Sequence, residues 1–176
     1  MKIAVFCGSS RACADQYRQA AATLGRAIAR RGFGLVYGGG DEGLMGAVAR
    51  STLDEGGHVT AVHTRRFAGY ADALAVTEAI MTDTMAQRKA EMAARSDAFI
   101  ALPGSMGMLD EISEVFVLTQ LGIQHKPVGI LNVDGFYDGL LMQLGRAVQD
   151  GFMKEAHLAL LHVAPEPEAL LDSLFS

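Results

Sequence analysis

Three short turns rich in glycine or serine directly follow apolar runs of the type that forms β-strands. They are Gly8-Ser9-Ser10, Gly38-Gly39-Gly40 with Gly43 and Gly46 beyond it, and Pro103-Gly104-Ser105-Met106-Gly107. Glycine allows a ligand to approach the backbone closely, and a helix after such a turn presents unpaired N–H groups and a partial positive charge. The three turns together predict a phosphate-binding site.

A face that carries two cations is predicted on the helix from about Asp83 to Arg95. Met85, Arg88, Lys89 and Met92 are three or four residues apart and therefore share that face. In one interpretation the methionines belong to the core and the cations extend past it to solvent. In the other, the partly desolvated arginine faces a ligand.

A carboxylate stands near the start of the helix predicted at Met108–Leu121. Glu111 lies one turn into this helix, with Asp110 beside it and Glu114 three residues further on. Such a carboxylate is commonly a favourable partner of the helix dipole. If Glu111 instead points back into a ligand cleft, its position suits an acid–base or charge-stabilising role. Both interpretations stay open at this point.

Several other kinds of site are disfavoured. The five histidines include no i, i+4 pair, so no metal is predicted. Ser9 and Ser10 lack the G-x-S-x-G context of a hydrolase nucleophile. The turn at Gly38–Gly43 is not followed by a strand ending in a ribose-binding acid, which disfavours NAD. Cys7 and Cys13 match neither a zinc knuckle nor a C-x-x-C redox pair, and are expected to be free thiols.

The composition narrows the class of partner. The 176 residues carry a formal net charge of −5 with dispersed Lys and Arg, unlike a surface that binds nucleic acid. A small phosphorylated ligand remains compatible with this charge, because one arginine and a few backbone amides can hold a phosphate. Neither a signal-peptide core nor an apolar run of about 18 residues occurs. We expect no nucleic acid, no membrane and a cytoplasmic location.

The elements that must position these residues alternate between β-type runs and helical patterns. Strands are predicted at Ile3–Cys7, Leu35–Tyr37, His58–His63, Asp97–Leu102, Val128–Val133 and Leu161–Val163, with a loop at Thr64–Ala75. Helices are predicted at Asp15–Arg31, from Gly43 to about Gly57, and at Asp83–Arg95, Met108–Leu121 and Phe136–Val148, with a terminal helix from about Pro165.

This alternation predicts a single domain over residues 1–176 with an α/β, Rossmann-like fold. We expect a doubly wound parallel sheet flanked by helices on both faces, because successive parallel strands need right-handed helical crossovers. Such sheets bind ligands beyond the carboxyl ends of their strands. All three turns would then lie at the same edge of the sheet.

The combined motifs resemble the LONELY GUY family of cytokinin riboside 5′-monophosphate phosphoribohydrolases, which are often labelled lysine decarboxylases. The resemblance rests on Cys7–Ser10, Tyr37–Gly40, Gly43–Gly46, Met85 with Arg88-Lys89, and Pro103–Glu111, and it continues through Asn132–Tyr137. It implies hydrolysis of an adenosine 5′-phosphate, or of its N6-isoprenoid derivative, to the free base and ribose 5-phosphate. No cofactor is implied.

The resemblance also implies roles for individual residues. The family residues that match Arg88 and Glu111 are the catalytic pair, and the turn after Pro103 holds the phosphate. An anionic carboxylate near the ribose would stabilise an oxocarbenium-like sugar, and the arginine would hold phosphate or ribose oxygens. The further residues expected to bind substrate are Gly8, Ser9, Gly39, Gly40, Met85, Lys89, Gly104, Ser105, Met106, Gly107 and Met108.

The family pattern P-G-G-x-G-T-x-x-E is changed at two positions. Ser105 replaces a glycine and Met108 replaces a threonine, while Ala86 stands where the family has a histidine. The altered turn favours a second interpretation, a nucleotide- or cofactor-binding carrier on the same fold, like the molybdenum-cofactor carriers that the superfamily resembles. The retained Arg88 and Glu111 favour the enzyme. The family and the apolar, methionine-rich helices also predict a homodimer.

Overall fold

Seven parallel strands form one sheet in the computed structural model, which describes residues 1–65 and 74–176. The strands are β1 (Lys2–Phe6), β2 (Gly34–Tyr37), β3 (Val59–Thr64), β4 (Glu78–Thr82), β5 (Ala98–Ala101), β6 (Val128–Leu131) and β7 (Leu161–Ala164). Their spatial order is β4-β3-β2-β1-β5-β6-β7. Every pairing within this order is parallel.

Helices cover both faces of the sheet. They are α1 (Asp15–Arg30), α2 (Gly43–Asp54), α3 (Met85–Ala94), α4 (Met106–Gln120), α5 (Asp138–Gln149), α6 (Glu155–Leu158) and α7 (Pro167–Leu174). Helices α1, α2 and α7 pack on one face, and α3, α4 and α5 pack on the other. The predicted doubly wound α/β sheet is confirmed. None of the helices described has both the length and the apolarity to cross a membrane.

Strand β1 contributes side chains to both hydrophobic cores. Ile3 and Val5 belong to the core beneath α1, α2 and α7, whereas Ala4 and Phe6 belong to the core beneath α3 and α4. Successive side chains of a strand point to opposite faces, so a strand covered on both faces needs a continuous apolar run. This requirement explains why β1 was predictable from its sequence.

Three elements differ from the prediction. Strand β4 was not predicted, because it lies at the edge of the sheet and alternates between covered and exposed positions instead of forming an apolar run. Helix α6 is a single turn, too short to produce a periodic pattern. Helix α4 begins at Met106 rather than Met108, which places Met106 and Gly107 in its first turn. Residues 66–73 of the predicted loop at Thr64–Ala75 lie outside the described residues, and Thr64 ends β3.

The strand order reverses at β1, which pairs with β2 on one side and with β5 on the other. Open α/β sheets bind ligands beyond the carboxyl ends of the strands next to such a reversal. Strands β1, β2 and β5 end at Phe6, Tyr37 and Ala101. The three predicted turns follow these residues and therefore share one edge of the sheet.

Candidate active site

A cavity of about 510 Å³ lies at this edge of the sheet. Its volume is in the usual range for sites that bind small molecules. Residues from all three turns line it together with side chains from α3 and α4. The predicted site residues among its lining are Gly8, Ser9, Gly39, Gly40, Met85, Arg88, Ser105, Gly107, Met108 and Glu111.

Arg88 and Glu111 form a buried ion pair in the lining of this cavity. Nη2 of Arg88 donates a hydrogen bond to Oε1 of Glu111. The two residues are only 8% and 4% exposed. Within the described part of the chain, Nε of Arg88 has no hydrogen-bond partner. The structure thus brings together the two residues that the sequence identified as a candidate catalytic pair.

Burial determines the protonation chemistry beside this pair. It raises the pKa of the Glu111 carboxyl, while the charge of Arg88 and its hydrogen bond act in the opposite direction. Burial, followed by the negative charge of Glu111, also raises the pKa of the Cys7 thiol well above its usual range. Cys7 lines the cavity but stays protonated near neutral pH, so it is not an activated nucleophile.

The position of Arg88 depends on how α3 begins and on what lies beneath the guanidinium. Thr84 caps α3, because its hydroxyl accepts a hydrogen bond of 3.1 Å from the backbone N–H of Gln87. The side chain of Gln87 in turn accepts from the backbone N–H of Thr84 at 3.2 Å. A Cβ atom on Gly38 would lie 3.0 Å from Nη2 of Arg88. The guanidinium therefore rests against the backbone of the second turn.

Backbone hydrogen bonds connect the three turns. The N–H of Gly8 donates to the carbonyl oxygen of Pro103 at 3.0 Å, and the N–H of Leu44 donates to the carbonyl oxygen of Gly8 at 3.0 Å. Leu102 also donates to the carbonyl oxygen of Phe6 at 2.9 Å. These bonds fix the first turn between the other two and hold the edge of the cavity together.

Gly39 has a backbone conformation that favours glycine. Its φ is +80°, and an added Cβ would lie 2.2 Å from Cε1 of His63. His63 is only 4% exposed and lines the cavity. The second turn consequently packs between Arg88 on one side and the imidazole of His63 on the other, which leaves no space for a larger residue at position 39.

The N-terminus of α4 faces the cavity and suits an anion. Ser105 is the N-cap residue, but its side chain makes no capping hydrogen bond. The first N–H groups of a helix have no partner within the helix, and those of Gly107 and Met108 belong to residues that line the cavity. Ser105 has φ −109° and ψ −158°, an extended conformation without strain, so the serine fits where the family has glycine.

Met108 belongs to the hydrophobic core and also lines the cavity. It is 3% exposed, and its Sδ lies 3.2 Å from Oη of Tyr137. The same hydroxyl donates a hydrogen bond of 2.6 Å to the carbonyl oxygen of Leu102. Tyr137 thereby supports both the end of β5 and the first turn of α4 from below.

Three predicted ligand-binding residues are not among those that line the cavity. Gly104 packs against the backbone of Gly8, and Met106 is 76% exposed at the start of α4. Nζ of Lys89 lies 2.9 Å from Oδ2 of Asp110 and 2.5 Å from Oε2 of Glu114. These positions favour indirect roles for all three residues.

Several lining residues were not predicted from the sequence. They follow β2, belong to the first turn of α2 or end β3, and are Asp41, Glu42, Met45, His63 and Thr64. The signal that could have identified His63 and Thr64 is their position at the carboxyl end of a parallel strand. Across residues 1–65 and 74–176, no group of three or more His, Cys, Asp or Glu side chains could hold a metal ion.

These features define a class: a Rossmann-like protein with three connected turns, a helix N-terminus and a buried arginine–glutamate pair around one cavity. A family model described as "Possible lysine decarboxylase" matches residues 45–174. Probable cytokinin riboside 5′-monophosphate phosphoribohydrolase LOGL9 of Oryza sativa subsp. japonica is 47% identical over 98% of this chain and 77% of that protein. Cytokinin riboside 5′-monophosphate phosphoribohydrolase LOG2 of Arabidopsis thaliana is 44% identical over 98% of this chain and 82% of that protein. The chain belongs to this family, and the resemblance to the LONELY GUY proteins is confirmed.

Solved structures with the same fold include proteins that bind the molybdenum cofactor. The molybdenum cofactor binding protein from the phototrophic bacterium Rippkaea orientalis has a TM-score of 0.76 at 24% identity and covers 99% of this chain and 97% of its own. The molybdenum cofactor carrier protein of Chlamydomonas reinhardtii has a TM-score of 0.75 at 21% identity, and the match covers 99% of this chain and 95% of that protein. At such identities the likeness establishes the fold alone.

Proposed function

We propose that this protein hydrolyses the N-glycosidic bond of a purine nucleoside 5′-monophosphate, giving the free base and ribose 5-phosphate. The base is adenine or an N6-substituted adenine. The observation that carries the proposal is the buried Arg88–Glu111 pair in the lining of the cavity. Relatives named as phosphoribohydrolases, 44% to 47% identical, support it.

The substrate phosphate would bind at the N-terminus of α4. The backbone N–H groups of Gly107 and Met108 lie in the first turn of that helix, where they have no partner within the helix, and the helix dipole favours an anion there. Ser105 can add a hydroxyl, since its side chain is not engaged as a cap. Backbone groups of the turns at Gly8-Ser9 and Gly39-Gly40 would then contact the remainder of the nucleotide.

The chemical step would break the bond between C1′ of the ribose and the ring nitrogen of the base. The base leaves with the electron pair of this bond, and positive charge develops on the sugar. Ionised Glu111 would stabilise this charge and orient a water molecule, whose oxygen bonds to C1′ while one of its protons passes to the base. Arg88 would hold the substrate and the carboxylate in their relative positions.

The description of the matching family model suggests a different reaction, lysine decarboxylation, and the cavity does not fit it. A pyridoxal-dependent decarboxylase holds its cofactor through a lysine. No lysine occurs among the described residues that line the cavity, and the adjacent Lys89 is paired with two carboxylates. The described lining therefore offers no residue that would hold such a cofactor.

Incubation with AMP and isopentenyl-AMP tests the proposed hydrolysis. Chromatography would follow the free base, and a separate assay would follow ribose 5-phosphate, which must appear in equal amounts. Glu111→Gln is the matched control, because it removes the charge while nearly preserving the shape of the side chain. Absence of base release from both nucleotides by the wild-type protein would refute the proposal.

The alternative is a carrier that binds a nucleotide or related cofactor without hydrolysing it. It is favoured by Met108, which offers no hydroxyl to a phosphate at the first turn of α4. Calorimetry separates the alternatives, since a carrier would bind AMP or the molybdenum cofactor while no free base is released. The retention of both Arg88 and Glu111 favours the enzyme.

We also propose that the protein is a homodimer. Large apolar side chains are exposed on α4, on α5 and in the segments that follow each of these helices. They include Val117, Leu121, Ile123, Met142 and Phe152. Exposed apolar surface of this kind marks an interface between subunits. Equilibrium sedimentation at micromolar concentration should give the mass of a dimer, and a monomer alone would oppose the proposal.

We extend the proposal to the partners and the location of the protein. It acts on a small-molecule substrate in the cytoplasm and binds neither nucleic acid nor a membrane. The net charge of −5 and the two free cysteines support it. Cell fractionation tests the location. Mobility-shift and vesicle-sedimentation assays at low salt should detect neither nucleic acid nor lipid bound to the protein.

A further inference from the structure

A second set of ion pairs lies beside the Arg88–Glu111 pair and connects the same two helices. Lys89 immediately follows Arg88 on α3, and Asp110 immediately precedes Glu111 on α4. Nζ of Lys89 lies 2.9 Å from Oδ2 of Asp110 and 2.5 Å from Oε2 of Glu114, one turn further along α4. Two adjacent residues of α3 thus reach two adjacent residues of α4.

The burial of Lys89 distinguishes this cluster from an ordinary surface ion pair. Its side chain is 18% exposed, although those of Asp110 and Glu114 are 60% and 47% exposed. The hydrogen bonds that Lys89 donates to Glu114 and Asp110 raise its pKa, which keeps the ammonium charged. Lys89 is not among the residues that line the cavity, and two carboxylates already engage its ammonium, so it is poorly placed to bind a substrate phosphate.

We propose that Lys89 is a positioning residue that holds α3 against α4 and so sets the geometry of Arg88 and Glu111. The proposal rests on the hydrolysis proposed above. Lys89 and Arg88 share one stretch of helical backbone, as do Asp110 and Glu111, so a shift between the helices at the outer contact must also move the inner pair. A displacement of about 1 Å from a residue outside the chemistry can lower a rate by about a hundredfold.

Lys89 also acts on Glu111 through its charge. The groups that face Glu111 are Arg88 and Lys89 from α3, Asp110 on its own helix, and the thiol of Cys7 after β1. The positive charge of Lys89 lowers the pKa of Glu111 against the effect of burial. Removal of that charge should therefore raise the pKa of the catalytic carboxyl. A merely structural contact would not have this effect.

The experiment compares Lys89→Met with Lys89→Arg. We expect Lys89→Met to lower kcat for AMP by about ten- to a hundredfold with little change in KM, since alignment is lost rather than binding. The acid limb of its pH profile of kcat/KM should move to higher pH. Lys89→Arg should recover most of kcat and the wild-type limb, because it keeps the charge and can reach both carboxylates.

Two further variants separate the helix contact from a general effect of charge. Lys154→Met makes the same charge change at an exposed position and should leave kcat and the pH profile unchanged. Glu114→Gln removes one of the two ion pairs of Lys89, at a residue that does not line the cavity. It should lower kcat by less than Lys89→Met does. In the double variant Lys89→Met/Glu114→Gln, the two losses should not add, because both remove the same contact.

The outcomes distinguish this proposal from the proposed hydrolysis. A raised KM for AMP and weaker binding of ribose 5-phosphate, with kcat unchanged in Lys89→Met, would identify Lys89 as a phosphate ligand and overturn the inference. If the wild-type protein releases no base, the hydrolysis fails, but a carbon-13 NMR titration of the Glu111 carboxyl still tests Lys89. An identical titration in wild type and Lys89→Met would then overturn the inference.

Discussion

The guanidinium of Arg88 and the carboxylate of Glu111 meet in a buried contact between two consecutive helices, 23 residues apart in sequence. Different elements position the two side chains. Arg88 rests against the backbone of Gly38, and Glu111 projects from α4, the helix that follows β5. This arrangement places a cation and an anion beside one nucleotide-sized cavity. Removal of the positive charge and removal of the negative charge should therefore have different effects on catalysis and on substrate binding.

Glu111→Gln and Arg88→Ala should separate kinetically. Glu111→Gln should lower kcat by about 10²- to 10⁴-fold with little change in the affinity for AMP, because the charge acts in the transition state. Arg88→Ala should lower kcat and also weaken binding of AMP, since it removes donors to the substrate. Steady-state kinetics combined with calorimetry would test both, and wild-type turnover in Glu111→Gln would eliminate the proposed mechanism.

The pH dependence of kcat/KM should reflect the burial of Glu111, because kcat/KM reports the titration of the free enzyme. Burial raises the pKa of this carboxyl and the mechanism needs its ionised form, so activity should fall as the pH drops through the raised pKa. The acid limb should lie above about pH 4.3, the value for an unperturbed glutamate. A limb at or below that value in the pH profile of kcat/KM would contradict the proposed role of Glu111.

Gly38→Ala should reduce activity without unfolding the protein. The new Cβ would lie 3.0 Å from Nη2 of Arg88, close enough to displace the guanidinium. We expect kcat/KM for AMP to fall by about tenfold, with an unchanged or slightly higher melting temperature. Gly139→Ala on α5 is the control, since the described residues place no neighbouring heavy atom within 4 Å of its Cβ. Equal kinetics in the two variants would count against a role for Gly38 in placing Arg88.

Met108→Thr should improve hydrolysis of AMP at the expense of stability. A hydroxyl at the first turn of α4 can donate to the phosphate, a bond to a charged group worth about 1.5–3 kcal/mol, so kcat/KM should rise by about tenfold or more. Loss of the buried thioether next to Tyr137 should lower the free energy of unfolding by roughly 2 kcal/mol. Base-release assays and chemical denaturation measure the two effects.

Adding Ser105→Gly to this variant should not reverse the gain, because Ser105 already has an extended backbone that any residue adopts. Calorimetry on the single and double variants provides the direct comparison. Unchanged AMP binding in Met108→Thr would mean that the cavity holds a different ligand.

The sheet and the Arg88–Glu111 pair could be predicted from the sequence because both are marked by local sequence patterns. Buried strands such as β1 appear as apolar runs, and Arg88 and Glu111 stand within motifs of a known family. The edge strand β4 escaped prediction because only one of its faces is covered. The extent of the domain, residues 1–176, stays a prediction.

Contacts between elements were harder to predict than the elements themselves. The spacing of Lys89 on α3 indicated a shared face with Arg88, but not that Asp110 and Glu114 would engage its ammonium. Such a contact depends on how α3 and α4 lie relative to each other on the sheet. The approach of His63 to Gly39 likewise depends on the pairing of β2 with β3, which no local pattern in the sequence indicates.

The central place of β1 in the sheet has a consequence for synthesis on the ribosome. Strand β1 is made before the other six strands described, and it can pair with β2 early, but its other edge hydrogen-bonds to β5, which begins at Ala98. Until that later segment emerges, the nascent chain carries an apolar strand with an open edge, the type of surface that recruits neighbouring chains. Fragments that end before β5 should therefore aggregate or depend on chaperones, and neither half of the protein should be separable as an independent folding unit.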